Sequence, residues 1–409
     1  MDYGEMKRCI SSRVQERLGY VRDVTDEEVE AVIDEELLQE RQLVVWPVAL
    51  RRRLQKEIFD ALRRLDILQI FVEDADITEI MINGPHQIFV EKNGQLQSLD
   101  ICFDSPERLQ AVIQQMVAGC NRTVNAANPV VDARLPDGSR VNVVMDPVAL
   151  NGPIVTIRRF PREPITMRRL VELQGISRQA AGLLQQLVRA GYNILVSGGT
   201  GSGKTTFLNA LSEFIPAAAR VITIEDSAEL QLLGCSNLVR LETRVNNGEG
   251  CAEIDIRKLI RTSLRMRPDR IIVGEVRGGE AFDLLQCLNT GHDGSMSTAH
   301  ANSAADLLSR LENMVLMGMD LPLTAIKQQI AAGVDIIVHL SRLRDGTRRV
   351  TEIVEVEGFY EGEIHWHPLF LLEEQSGEID RTVGRLVAKG QLRRTEKLRW
   401  AGLSPGELE

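Results

Sequence analysis

The sequence predicts an α/β protein: a P-loop domain with a mainly parallel sheet, preceded by a small α+β domain and an N-terminal helical segment. Three observations carry that expectation. An apolar run at Ile194, Leu195 and Val196 breaks into glycines and then into helix formers, the strand, loop and helix order that a phosphate cradle requires. From about residue 193 to 298, four short strand-like runs alternate with longer helical stretches, as parallel strands covered by helices do. Between residues 77 and 144, by contrast, short apolar runs break at Asn83-Gly84-Pro85, Lys92-Asn93-Gly94 and Pro136-Asp137-Gly138, which is turn chemistry between the strands of a separate small sheet.

Residues 1–70 read as helices. Thr25 followed three places later by Glu28 makes a capping box, and Val29, Val32, Ile33 and Leu37 recur on one helical face. Pro47 restarts the chain into a helix that reaches about Leu68. Its basic residues Arg51, Arg52, Arg53, Lys56, Arg63 and Arg64 make a solvated face or a docking surface for a protein or an acidic lipid. The small α+β domain, PAS-like in outline, takes residues 71–160, with a helix at about 106–118 and a hairpin that carries Arg134 on one strand and Arg140 on the other. Pro161 and Pro164 mark a linker over 161–168. The P-loop domain follows at 169–342. The last stretch, 343–409, holds two strand-like runs (350–356 and 364–372) and a polar helical end, with no chemical role apparent.

Composition narrows the function. A chain of 409 residues has room for two or three domains. Its net charge of −10 argues against stable nucleic-acid binding, which rests on Lys and Arg neutralising phosphates. Six cysteines, Cys9, Cys102, Cys120, Cys235, Cys251 and Cys287, are scattered without a C-x-x-C pair, so neither a zinc ribbon nor a disulfide framework is indicated. No apolar run approaches the roughly 20 residues that span a bilayer, and the acidic start is unlike a signal peptide. The expected location is the cytoplasm, with any membrane work done through a partner.

The chemistry gathers round residues 198–206. Gly198 and Gly203 have the spacing of G-x-x-x-x-G-K-[ST]. A loop with little side-chain bulk, here Gly198, Gly199, Thr200, Gly201, Ser202 and Gly203, can turn its N–H groups onto a polyphosphate, and the helix beginning at Lys204, Thr205 and Thr206 aims its positive end at the same anion. Lys204 adds a cation for the phosphates and Thr205 a hydroxyl for Mg2+. After the strand ending at Ile224, Glu225 and Asp226 are suited to hold Mg2+ or to orient water. After Pro268 a second apolar run ends at Glu275, the carboxylate expected to polarise the attacking water. His292 and His300 flank the next strand; His300 lies at its catalytic end, within reach of a γ-phosphate, and His292 at the other. No Asn-Lys-x-Asp guanine reader appears, so ATP is the expected nucleotide. Arg134 and Arg140, with Arg158 and Arg159, are candidates to stabilise transferred phosphate charge.

Four stretches, 198–206, 223–230, 266–279 and 291–303, taken in order resemble the Walker A, Asp box, Walker B and His box of the secretion and pilus ATPase superfamily. The wording Arg134-Leu135-Pro136-Asp137-Gly138-Ser139-Arg140-Val141, Gly274-Glu275-Val276-Arg277-Gly278 and Asn289-Thr290-Gly291-His292-Asp293-Gly294-Ser295 resembles the CpaF/TadA branch that powers tight-adherence and related type IV pili. The resemblance runs from about Asp76 to Leu340 and implies a RecA-like P-loop fold. It also implies a hexameric ring, an N-terminal domain that closes over the nucleotide, and arginines passed between domains or subunits. Lys204, Thr205, Glu225, Glu275, His300 and the hairpin arginines would then take the roles given above, with inner-membrane platform proteins as partners. Two rivals stay open: an ATP-driven DNA-transfer motor, and a nucleotide-dependent regulatory switch with low turnover.

Overall fold

The computed structural model describes residues 2–19, 24–40, 46–92, 94–120, 122–159, 164–244, 252–375 and 383–403. The turn residue Asn93, the linker residue Pro161 and Cys251 lie outside them. The chain divides into two compact units, Met1–Arg162 and Glu163–Glu409.

In the first unit, helices α1 (Tyr3–Leu18), α2 (Asp26–Gln39) and α3 (Val48–Arg63) enclose a core of Met6, Ile10, Val14, Val29, Ile33, Leu54 and Ile58. Capping boxes start two of them, Asp2 with Glu5 and Thr25 with Glu28, so orphan N–H groups of the first turn are satisfied locally. A short helix α4 (Gln69–Glu73) leads to six strands: β1 (Ile77–Asn83), β2 (Ile88–Lys92), β3 (Gln95–Leu99), β4 (Val130–Arg134), β5 (Arg140–Val144) and β6 (Ile154–Arg158). They form one sheet in the order β3-β2-β1-β6-β5-β4, antiparallel at each pairing. Helix α5 (Pro106–Ala118), capped by Ser105, buries Leu109, Val112, Ile113, Met116 and Val117 with the sheet's apolar side chains.

The second unit begins with α6 (Met167–Glu172) and α7 (Arg178–Ala190). The chain then runs β7 (Ile194–Gly198), α8 (Lys204–Ser212), β8 (Arg220–Glu225), β9 (Asn237–Glu242), α9 (Ile256–Ser263) and β10 (Arg270–Val276). It continues through α10 (Glu280–Asn289), β11 (Met296–Ala299), α11 (Ala304–Gly318), α12 (Leu323–Gly333) and β12 (Ile336–Arg342). Strands β13 (Arg348–Tyr360), β14 (Glu363–Gln375) and β15 (Val383–Ala388) and helix α13 (Glu396–Trp400) complete it. The nine strands make one sheet, ordered β15-β14-β13-β12-β7-β11-β10-β8-β9.

From β12 to β9 neighbours run parallel, whereas β13, β14 and β15 add to the β12 edge antiparallel. The expectation of a mainly parallel sheet is corrected on this point: the sheet is mixed. The runs at 350–356 and 364–372 belong to long hairpin strands that extend it. Short turns at 343–347 and 361–362 join β12 to β13 and β13 to β14, and antiparallel pairing is what a short connection permits. Alternation along β7 shows how both faces are covered. Ile194 and Val196 join the core under α7 and α8, and Leu195 joins the one under α10, α11 and α12, each strand residue facing opposite to the next. At one crossing Gly279 lies so close to Gly318 that an added Cβ would meet the Gly318 Cα at 2.7 Å, which only two glycines allow. Among the described residues no helix is long and apolar enough to cross a membrane.

Candidate active site

The P-loop leaves a strand that is buried throughout. Gly198 turns the chain with φ 155°, and a Cβ there would meet the Leu340 carbonyl oxygen at 2.4 Å and Ser202 Oγ at 2.5 Å, so bulk at this corner would displace the next strand. Gly203 caps α8 in the left-handed conformation. Ser202, itself buried, donates from Oγ to the Gly199 carbonyl at 2.9 Å and closes the loop on itself. Gly199, Thr200 and Gly201 remain exposed, as N–H donors for an incoming anion must be. Thr205 and Thr206, half-buried, occupy the first turn of α8.

Lys204 is buried. Its Nζ donates to the Gly198 and Gly199 carbonyls at 3.1 and 3.0 Å and stands 3.3 Å from His300 Nδ1. A buried ammonium needs acceptors of this kind. On the far side of the imidazole, His300 Nε2 lies 2.8 Å from Glu275 Oε1. The structure thus brings together three residues that are 204, 275 and 300 in sequence. Parallel register explains it: Ala299 pairs with Ser197, and Val276 pairs with Ala299, so the ends of β7, β11 and β10 share one sheet edge, where ligand chemistry in such sheets collects. Burial, then the neighbouring Lys204 charge, hold the His300 pKa below its ordinary value against the pull of Glu275. The imidazole thus presents Nδ1 to the Lys204 ammonium and Nε2 to the Glu275 carboxylate. Arg277 adds a cation to this cluster, 3.7 Å from Glu275 and in contact with Asp226.

Glu225 is placed differently from a solvent-facing carboxylate. It is buried beside Gly274, whose Cβ would sit 3.0 Å from the Glu225 Cγ. Oε1 accepts from the Glu229 and Leu230 N–H groups, both at 2.8 Å, and so holds the turn after β8. Oε2 has no hydrogen-bond partner among the described residues. Burial pushes the carboxyl up to about 7, against the lowering effect of those two N–H groups. Among the described residues no cluster of three His, Cys, Asp or Glu side chains could hold a metal alone. A nucleotide-bound Mg2+ needs less, because it takes most of its ligands from phosphate oxygens and water. The Thr205 hydroxyl and the unengaged Glu225 Oε2 are oxygen donors of the fitting kind.

The arginines belong to the first unit. Arg134 donates from Nε to the Gly138 carbonyl at 3.2 Å, and Arg140 lies 3.4 Å from Asp132. Arg158 is 3.8 Å from Glu79. Arg159 donates to the carbonyls of Ile77 at 3.0 Å, Phe71 at 3.5 Å and Asp74, a structural use that its position in the sequence did not reveal. His292 is at the opposite end of β11 from His300, with Nδ1 3.4 Å from Thr290 Oγ1. Two contacts near the P-loop were not anticipated. Buried Ser197 and His339 meet at 2.8 Å between Oγ and Nδ1, and Arg348, at the start of β13, donates from Nε to the Gly201 carbonyl at 2.8 Å. Neither pair has a local sequence signal, since both depend on strands joining from far along the chain.

A family model described as "Type II/IV secretion system protein" matches residues 62–377. A putative conjugal transfer protein of Mycobacterium tuberculosis is 34% identical over 325 residues, covering 77% of this chain and 91% of the relative. The type IV secretion system protein PtlH of Bordetella pertussis is 34% identical over 315 residues, covering 71% and 93%. Among solved structures, the pilus retraction motor PilT with bound ADP has 21% identity and a TM-score of 0.52, over 71% of this chain and 82% of that one; that similarity is one of fold.

Proposed function

The chain belongs to the type II/IV secretion system protein family, and on that premise we propose that it is a cytoplasmic ATPase that powers assembly of a type IV-like pilus, or export across the inner membrane. The observation that carries this reading is the chain Lys204, His300, Glu275, with contacts of 3.3 and 2.8 Å. It joins the P-loop cation to a carboxylate at the same sheet edge. Without nucleotide, Lys204 spends its donors on its own loop carbonyls and on His300. A triphosphate offers stronger acceptors, so Lys204 turns to the phosphates and His300 is released from it. Glu275 is then the group to take a proton from the attacking water, and His300 the group that passes the state of the last phosphate to Glu275 and Arg277. Mg2+, held through Thr205 and Glu225, would supply charge neutralisation on the phosphates.

Arg134 and Arg140 are proposed to bring positive charge to the nucleotide from the first unit of the same chain or another copy. A homohexamer, the tight-adherence branch and inner-membrane platform partners belong to the same reading. Mass in solution with a slowly hydrolysed ATP analogue tests the ring: a strict monomer at every concentration counts against it. Glu275→Gln tests the chemistry. Turnover should fall by roughly a hundredfold or more, the range for loss of a general base, while ATP binding is retained; full activity would refute the assignment.

A second reading has specific support in the conjugal transfer descriptions of relatives, that of Mycobacterium tuberculosis among them. Under it the motor moves DNA, and hydrolysis should be stimulated by DNA in a salt-sensitive way. The net charge of −10 weighs towards protein cargo.

A further inference from the structure

We propose that Glu352, on β13, is a positioning residue for ATP turnover: its carboxylate fastens the first turn of α11 to the sheet and thereby sets His300 against Lys204 and Glu275. This rests on the roles given above to those three residues and adds what holds them in register.

Glu352 is a half-buried acid on an otherwise apolar strand face. Strand side chains alternate, and Val354 and Val356, two and four residues further along β13, belong to the core under α10, α11 and α12, so Glu352 points to the same side. Register extends that side into a polar row. Glu352 pairs with His339 on β12, and His339 with Ser197 on β7. Ser197 shares the face of Leu195, two residues before it, and its Oγ meets His339 Nδ1 at 2.8 Å. Ser197 pairs in turn with Ala299, the residue before His300.

A carboxylate on such a face is costly without a hydrogen-bond partner, and the helix supplies one: Ala304 N donates to Glu352 Oε2 at 3.0 Å. Ala304 is the first residue of α11, and its N–H is one of the four that a helix leaves without an internal acceptor. The negative charge also suits the positive end of the helix. The other acceptors at this end are local. Ser303 Oγ takes the Asp306 N–H at 3.0 Å, and Asp306 Oδ2 takes the Asn302 N–H and side-chain amide at 2.8 and 3.1 Å; those bonds travel with the helix. Among the described residues, the Glu352 bond is the hydrogen bond that ties residues 301–304 to another strand.

Three residues separate His300 from Ala304. The turn that carries the His300 ring enters from β11, which pairs with β7 and β10, and leaves through Ala304, pinned to β13, so both of its ends are fixed to one sheet. Four residues before Glu352, Arg348 fixes the P-loop to the same strand through the Gly201 carbonyl. The contacts of the ring, 3.3 Å to Lys204 and 2.8 Å to Glu275, depend on that bracing, because misplacing a reacting group by about 1 Å can cost roughly a hundredfold in rate. Glu352 acts through the backbone of the turn.

The test is a double-mutant cycle in the full-length protein. Glu352→Ala, Glu352→Gln, His300→Ala and the double variant of Glu352→Ala with His300→Ala are each assayed for steady-state ATP turnover and for calorimetric affinity for Mg2+-ATP. Glu352→Ala should lower kcat roughly tenfold or more and bind ATP as the wild type does, which also shows that it is folded. Glu352→Gln keeps a side-chain oxygen for the Ala304 N–H and should recover most of the turnover. In the His300→Ala background, Glu352→Ala should lower kcat no further, since it acts through His300. Wild-type turnover in Glu352→Ala overturns the proposal, as does a loss of ATP affinity in that variant, a Gln variant as slow as the Ala variant, or a full further loss in the His300→Ala background. A wild type without ATP turnover, or a His300→Ala variant as fast as the wild type, overturns the reading of His300 itself and the Glu352 assignment with it.

Discussion

Glu225→Gln is a substitution whose effect follows from burial alone. The carboxyl is 2% exposed, with Oε1 accepting two backbone N–H groups and Oε2 unpartnered among the described residues. Its pKa rises from 4.5 to about 7. The folded protein therefore holds the proton more tightly than the unfolded chain does. Stability from this group is present in full below pH 4.5 and is lost as pH rises through 7. The rise corresponds to about 3 kcal/mol between those limits. Glutamine keeps an oxygen for the Glu229 and Leu230 N–H groups and carries no charge at any pH, so the variant lacks the loss. Denaturant unfolding of the nucleotide-free protein, compared between wild type and variant from about pH 5 to pH 8.5, isolates the contribution, because the other titrating groups are common to both. The variant's advantage should be about 1 kcal/mol at the acid end and grow to about 3 kcal/mol at the alkaline end. Parallel profiles, or a variant that loses stability at high pH, would refute the reasoning.

Two further substitutions probe the frame around the site. Arg348→Ala removes the contact from β13 to the Gly201 carbonyl and should weaken ATP binding roughly three- to tenfold with kcat little changed, a split that steady-state kinetics resolves. Asp335 is buried at the opposite sheet edge, where it accepts from Asn193 N at 2.9 Å and pairs with Lys397 at 2.7 Å and Arg394 at 3.2 Å. Asp335→Ala leaves the buried Asn193 N–H without that acceptor, while Lys397 keeps Asp293 and Arg394 keeps the Val356 carbonyl; it should cost about 2 kcal/mol, read as a fall in the denaturation midpoint without change at the P-loop.

Residues whose role is written into nearby sequence were legible. The Thr25 and Glu28 capping box forms as spaced, and the P-loop spacing gives a buried strand, a left-handed Gly203 and a helix starting at Lys204. His300 and Glu275 were separately placed at strand ends, and parallel register made them neighbours. What escaped depends on distant pairing. Strand β9 is polar and half-exposed, Asn237, Arg240 and Glu242 interrupting its apolar residues, so it lacks the run that marks a buried parallel strand. Nothing local says that β13 to β15 should join the P-loop sheet rather than stand apart, because the strands read the same in either setting. The sequence also shows Glu225 at a strand end without showing that the chain folds back to occupy one of its oxygens with Glu229 and Leu230.

The central claim is that the second unit grips a triphosphate through the P-loop, with Lys204 as its cation. Calorimetric titration of the purified chain with Mg2+-ATP, set beside the same titration of Lys204→Ala, tests it most directly. Saturable uptake by the wild type that disappears in the variant is the expected result. No binding by the wild type, or equal affinity in both proteins, would contradict it.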